Sequence, residues 1–169
     1  MKKIVLTALF ISLYAFSYSQ SAQDYYVKGI QSMDEQKYNN AIANFTKALD
    51  ANENFSEAYL KRGACLLILN DMSNALVDLD KAIELNPKNG IAYYNRGLIK
   101  KQQGNYNDAI EDFSAAINLD RNFGLAFFNR ALCKLGLSDF ENACEDIATA
   151  ADLGIENADE IFTYTCKKP

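Results

Sequence analysis

Apolar residues recur along this chain at two nested spacings. Tyr38, Ala41, Ile42, Phe45, Ala48 and Leu49 follow the i, i+3, i+4, i+7 order of one helical face. The same face returns every 34 residues, in the columns Tyr38, Met72, Tyr106, Phe140; Ala41, Ala75, Ala109, Ala143; Phe45, Leu79, Phe113, Ile147; and Ala48, Ala82, Ala116, Ala150. Each copy is preceded by a second helical segment with an aromatic near its start (Tyr25, Tyr59, Tyr93, Phe127) and a small residue four positions on (Gly29, Gly63, Gly97, Ala131). The small residue lets two helices approach closely, and the breaks between them fall at Gln36-Lys37, Asn70-Asp71, Gly104-Asn105 and Ser138-Asp139, mostly turn formers. The pattern therefore predicts four helix-turn-helix units at 22–55, 56–89, 90–123 and 124–157. Units of this length cannot bury their apolar faces alone, so they stack and share a core. Beyond Gly154, the residues Ala158, Ile161, Phe162, Thr165 and Cys166 again share a face while Asp159 and Glu160 point away. This predicts a capping helix at 158–168, with Lys167 and Lys168 opposite the negative end of its dipole.

The first residues do not belong to that pattern. Lys2 and Lys3 precede a mostly apolar run from Ile4 to Phe16, and the small or polar Ser17-Tyr18-Ser19-Gln20 follow. These are the three parts of a signal peptide, expected at 1–19 and cleaved before Gln20. The run is shorter than the ~17 to 25 residues of a spanning helix, so no membrane span is expected after cleavage, an uncleaved anchor being the alternative. With no cysteine before Cys65, a lipid-modified start is not expected. The product is expected to be exported to a periplasmic or extracellular location, and the Met-Lys-Lys start favours a bacterial source. Its repeats form one domain over 20–169, since no Pro, Gly or Ser-rich linker divides them.

These columns resemble the tetratricopeptide repeat family, whose 34-residue unit has an aromatic, then Gly, then an Ala-x-x-x-aromatic pair and often a closing Pro. Tyr93, Gly97, Ala109 and Phe113 match in the third unit, and Pro87 closes the second. Glu53, Arg121 and Ile155 stand where the other units lack that Pro, and Ala131 replaces the glycine. The resemblance covers 22–157 and implies an all-α, right-handed α-solenoid of four repeats with a C-terminal capping helix. It also implies that the first helices line a concave groove holding a peptide or protein partner. Tyr26, Leu60, Tyr94 and Phe128 are placed there, with Ile30, Ala64, Leu98 and Leu132 one turn further on and Asn95 and Asn129 beside them. Rings bury area while amides pair with a peptide backbone. The competing reading is that some of these side chains simply pack against the next helix. Ile30 stands where the family's carboxylate clamp needs an Asn, so a receptor for chaperone tails is not expected.

Charge and residue chemistry narrow the function. The formal charge is −5, and loss of Lys2 and Lys3 with the leader makes it more negative, which removes the electrostatic warrant for nucleic acid. Histidine is absent, and with it the usual general base, the Ser-His and Cys-His pairs and His-containing metal sites. Pairs such as Glu111-Asp112 and Glu145-Asp146 read as solvated helix faces. No catalytic residue, cofactor or metal site is expected. Arg62, Arg96 and Arg130 are each followed 16 residues later by Asp78, Asp112 and Asp146, while the first unit has Lys28 and Asn44 at both positions. Paired changes of this kind predict salt bridges within a repeat or across adjacent ones. Of the four cysteines, Cys144 and Cys166 are the expected disulfide, because the last second helix should touch the cap; Cys133 with Cys166 competes. Cys144 also sits in the column of Ile42 and Ile110, where a small core residue would serve. The reading that results is a non-enzymatic adaptor or scaffold. Its rivals are a non-catalytic subunit of an envelope complex that senses or holds a ligand and, more remotely, an enzyme using carboxylates alone.

Overall fold

The computed structural model describes residues 21–166, in which nine helices and no strand occur. They fall into two compact units that meet in sequence between Leu85 and Asn86. The first contains α1 (21–34), α2 (Tyr38–Ala51), α3 (Ser56–Ile68) and α4 (Met72–Leu85). The second contains α5 (Gly90–Gln102), α6 (Tyr106–Leu119), α7 (Gly124–Gly136), α8 (Phe140–Asp152) and α9 (Ala158–Cys166). The expected leader at 1–19 and the basic pair Lys167-Lys168 lie outside the described residues.

The first helix of every pair ends in the same way, at the columns where the sequence breaks. Gln36, Asn70, Gly104 and Ser138 have φ of 57°, 62°, 78° and 63°. The next residue's N–H then returns to a carbonyl five positions back: Lys37 to Ser32 (2.8 Å), and Asp71, Asn105 and Asp139 to Leu66, Lys100 and Lys134 (2.9 Å each). This is the Schellman closure, which satisfies carbonyls that the ending helix would leave orphaned. Only Gly104 adopts it without a side-chain penalty; Gln36 and Ser138 hold a left-handed backbone that disfavours a Cβ.

The second helices supply the core. Ala41, Phe45 and Ala48, and their counterparts in α4, α6 and α8, are fully buried. Opposite them lies the small-residue column, and its size matches that of its partner. A Cβ on Gly29 would stand 2.4 Å from the Phe45 ring and one on Gly97 2.8 Å from Phe113, whereas on Gly63 it would meet the Leu79 Cγ at 3.2 Å. Ala131 keeps its methyl and shares a cluster with Ile147. Large against small repeats because one helix spacing must be filled four times.

The last apolar face is covered by α9. Its Ala158 is buried with Ala143, Ile147 and Ala150, and Ile161, Phe162 and Cys166 close over them. A disulfide joins Cys144 of α8 to Cys166 of α9, with Cα atoms 5.6 Å apart.

Candidate functional site

Two sets of residues compete as the functional surface. The arginine column is the first. Arg62 Nε and Nη2 donate to Asp78 at 2.7 Å each, Arg96 to Asp112 at 2.9 and 2.6 Å, and Arg130 to Asp146 at 2.8 and 2.7 Å. All three pairs lie within a repeat. Each guanidinium also lies over the ring three residues before it, 5.6 Å from Tyr59, 5.6 Å from Tyr93 and 5.5 Å from Phe127. The remaining amine of Arg62 reaches back to Thr46 Oγ1 (3.0 Å), and that of Arg130 to Ser114 Oγ (2.9 Å), so one side chain ties three helices. The carboxylates are buried and the fork geometry is bidentate, which makes these pairs structural. In the first repeat both partners are neutralised or moved outward: Asn44 donates to Ser32 Oγ (3.4 Å), and Lys28 lies 5.4 Å from the Tyr25 ring.

Sequence reasoning missed two members of this column. Lys100 Nζ lies 2.8 Å from Asp112 Oδ2 and Lys134 Nζ 2.7 Å from Asp146 Oδ2. Each lysine follows its arginine by four residues, one helical turn, and that spacing is the signal that could have found them.

The first-helix residues form the second set, and the structure divides them. Tyr26 is half-buried, its ring 5.7 Å from Phe45 and 4.9 Å from Phe55, and Ile30 packs on the cluster of Ala41, Phe45 and Cys65. Leu60 is buried. Tyr94 repeats the arrangement of Tyr26 against Phe113 (5.8 Å) and Phe123 (4.8 Å), and Leu98 packs on the same cluster. Phe128 leans on the cluster of Ala131 and Ile147, and Leu132 is half-buried. Burial pushes the Tyr94 hydroxyl above its ordinary pKa, opposed by its bond to Asn129; burial does the same to Tyr26, helped by Glu57.

The two asparagines differ in kind. Asn129 is buried, donates from Nδ2 to Tyr94 Oη (3.2 Å) and Leu125 O (2.8 Å), and accepts from Lys101 Nζ at 2.6 Å. Its amide is spent on joining α5 to α7. Asn95 is half-buried and makes no side-chain hydrogen bond to another described residue, so its amide is open to a partner. Two residues outside the predicted set complete the picture. Ile91 lies one turn before Tyr94 and Asn95 and is 54% exposed; Leu125 has the same place in α7 and is 45% exposed. Together Ile91, Tyr94, Asn95 and Leu98 make one stripe on α5, and Leu125, Phe128, Asn129 and Leu132 make its neighbour on α7. A cavity of about 450 Å³ opens beside Ile91, between Asn89, Leu119, Asp120 and Phe123.

The remaining chemistry is quiet. Cys65 and Cys133 are buried free thiols whose pKa is pushed up to about 11 by that burial, with Lys61 and Lys101 respectively pulling the other way. Thiols held neutral in this way are poor nucleophiles. Among the described residues no group of three His, Cys, Asp or Glu side chains could hold a metal, and no helix is long and apolar enough to cross a membrane.

The helix pairs and their order of packing define an all-α helical-repeat solenoid. Residues 56–89 and 90–123 each match the tetratricopeptide repeat family, so these two units are tetratricopeptide repeats. Among solved structures it is similar to MamA from Desulfovibrio magneticus RS-1, at 20% identity over 86% of this chain and 83% of that one, with a TM-score of 0.78. YrrB, a protein of the same repeat class described as having an unusual peptide-binding site, matches at 24% identity over 91% of this chain and 83% of its own, TM-score 0.71. The first tetratricopeptide domain of Spaghetti (RPAP3), solved with an HSP90 peptide, matches at 25% identity over 71% and 95%, TM-score 0.69. No curated protein matches the sequence.

Proposed function

We propose that the chain is a non-enzymatic adaptor or scaffold that holds a segment of a partner protein against the exposed faces of its first helices. The observation that carries this reading is the pair of stripes on α5 and α7. They lie side by side, fixed to each other by the Asn129 bonds, and they leave Ile91, Leu125 and the Asn95 amide available. Apolar anchors set beside a free amide suit an extended peptide. The peptide held by the Spaghetti domain and the site ascribed to YrrB support the same mode of action. In the first unit the corresponding contributors are Tyr26, Val27 and Ile30, of which Val27 is 56% exposed.

The buried members, Leu60 and Asn129, shape the surface from beneath. Tyr94 packs on Phe113, so truncating it disturbs the core as well as any partner. Ile91→Glu with Leu125→Glu is the cleaner perturbation. Cross-linking capture of envelope proteins by the mature chain is expected to fall at least about tenfold in this double variant, a loss of about 1.4 kcal/mol, with helicity unchanged by circular dichroism. Capture that survives would move the function to other faces or to the loops.

We further propose that residues 1–19 direct export and are removed. Intact mass of the protein from its native compartment tests this, and retention of Met1 to Phe16 would indicate an anchored form. The cavity beside Ile91 supports a second reading, a ligand-holding subunit, which a thermal shift with cell-wall fragments would favour over the adaptor.

A further inference from the structure

Three repeats hold the same arginine–aspartate pair, but they do not complete it in the same way. Asp112 Oδ2 receives Arg96 Nε and the Lys100 ammonium, and Asp146 Oδ2 receives Arg130 Nε and the Lys134 ammonium. In the second repeat the lysine position is Leu66, which has no ammonium to offer. Among the described residues, Asp78 Oδ2 accepts from Arg62 Nε alone. A groove of about 250 Å³ opens where the missing ammonium would enter, with Ile42, Leu66 and Val77 as apolar walls and Thr46, Asn74, Asp78 and the Asp78-paired Arg62 as polar ones.

We propose that this groove binds the side chain of a lysine from a partner polypeptide, its ammonium on Asp78. Four observations converge. The chain itself supplies the precedent, since a lysine ammonium lies 2.8 Å and 2.7 Å from the equivalent oxygens of the next two repeats. A carboxylate oxygen accepts two bonds, and Oδ2 here has one. The walls suit a four-carbon stem, with Val77 67% exposed and the Asp78 carboxylate buried, so the stem can bury against apolar surface while the charge finds its counter-ion. Among the described residues Asp78 meets only the guanidinium of Arg62 where Asp112 and Asp146 each meet an arginine and a lysine, and the chain as a whole carries −5. Arginine is disfavoured, because a second planar fork cannot share an oxygen pair already held bidentately by Arg62. The site uses residues separate from the α5 and α7 stripes and stands whether or not those stripes hold a partner.

The test uses the full chain, isotopically labelled, titrated with Nα-acetyl-lysine methylamide and followed by amide shifts. Saturable shifts are expected at Ile42, Leu66, Asn74 and Val77, and the norleucine analogue, equal in shape but uncharged, should produce none. Leu66→Lys places the ammonium in cis: it should raise the melting temperature and weaken the probe at least about tenfold. Leu66→Met keeps the wall apolar and should bind as the parent does, which separates lost binding from lost folding. No saturable shift in the parent, equal shifts with norleucine, or undiminished binding in a folded Leu66→Lys protein overturns the proposal. Tighter binding of spermidine than of the lysine probe assigns the groove to a polyamine and overturns the polypeptide occupant. Dilution-dependent shifts at these amides without any probe would do so too, pointing to a lysine of a second copy.

Discussion

Removing the Cys144–Cys166 bridge is expected to destabilise the second unit by about 3 kcal/mol. The bond closes a loop of sequence separation 22. In the chain-entropy model a loop of that size loses roughly 11 cal/mol/K in the denatured state, or about 3 kcal/mol at 25 °C. The structure shows where that would be felt. The α9 helix is nine residues long, too short to be stable by itself, and it buries only Ala158 completely while Ile161, Phe162 and Cys166 lean on the α8 cluster. Without the bond, α9 should fray and expose Ile147 and Ala150 beneath it. Cys144→Ala with Cys166→Ala is the perturbation, compared with the parent with and without reductant. A change of about 3 kcal/mol corresponds to a fall of roughly 1 to 3 M in the urea midpoint, and amide exchange should accelerate first in α9 and then in α8. Cys65 and Cys133 are unbridged, so the reductant has no other bond to act on among the described residues. If the parent's midpoint and its α9 exchange are indifferent to reductant, the bridge does not hold the cap and the reasoning fails.

Three further outcomes follow from the geometry. Gly97→Ala should destabilise by roughly 1 to 3 kcal/mol, because its Cβ would stand 2.8 Å from the Phe113 ring; Gly63→Ala, facing Leu79 at 3.2 Å, should come out near neutral as the gain in helix propensity offsets a small shift, and equal effects in urea denaturation would contradict the size-matching of the columns. Gln36→Gly should stabilise by about 1 kcal/mol in thermal unfolding, since it relieves a left-handed side chain at φ 57° in an exposed turn; a loss would mean that Gln36 makes a contact worth more than its strain. Iodoacetamide at pH 8 should leave Cys65 and Cys133 unlabelled in the folded protein and modify both in urea, read by mass spectrometry, because burial holds their pKa near about 11 and the thiolate is scarce at pH 8.

What could be read from the sequence was whatever the four repeats must do alike. The close helix crossing at Gly29, Gly63, Gly97 and Ala131, the filled column from Phe45 to Ile147 and the breaks at Gln36, Asn70, Gly104 and Ser138 each solve one geometric problem four times, and the period exposes them. The Arg–Asp columns were legible for the same reason. Side-chain exposure was not. Leu60 shares a column with Tyr26, Tyr94 and Phe128 and is nonetheless buried, and Asn129 shares one with Asn95 but is consumed by Tyr94 and Lys101. The Lys101 contact spans 28 residues and belongs to no column, since the equivalent residues are Met33, Leu67 and Leu135. Contacts made once leave no periodic trace.

On the proposed function, that distinction also locates the specificity. A position with the same packing duty in every repeat is held to one chemistry, whereas a position facing outward is free to differ. The residues at Gln23, Glu57, Ile91 and Leu125 occupy one column, and all four are exposed. The first unit offers an amide and a carboxylate there, the second two branched aliphatics. Backbone and spacing are common to the four, so the change in chemistry is not required by the fold. Fully burying an exposed aliphatic side chain gains about 1.5 to 3 kcal/mol, so Ile91 at 54% and Leu125 at 45% exposure each stand to gain about half of that, while a solvated Glu gains little unless paired. On the proposed reading, the affinity of a segment held by the second unit should therefore come mainly from Ile91 and Leu125. Ile91→Gln with Leu125→Gln, which copies Gln23 into the second unit, should thus abolish most of the capture without touching a core contact. If capture instead persists in that variant and is lost with Glu57→Gln, the first unit carries the affinity and the argument from exposed aliphatics is wrong.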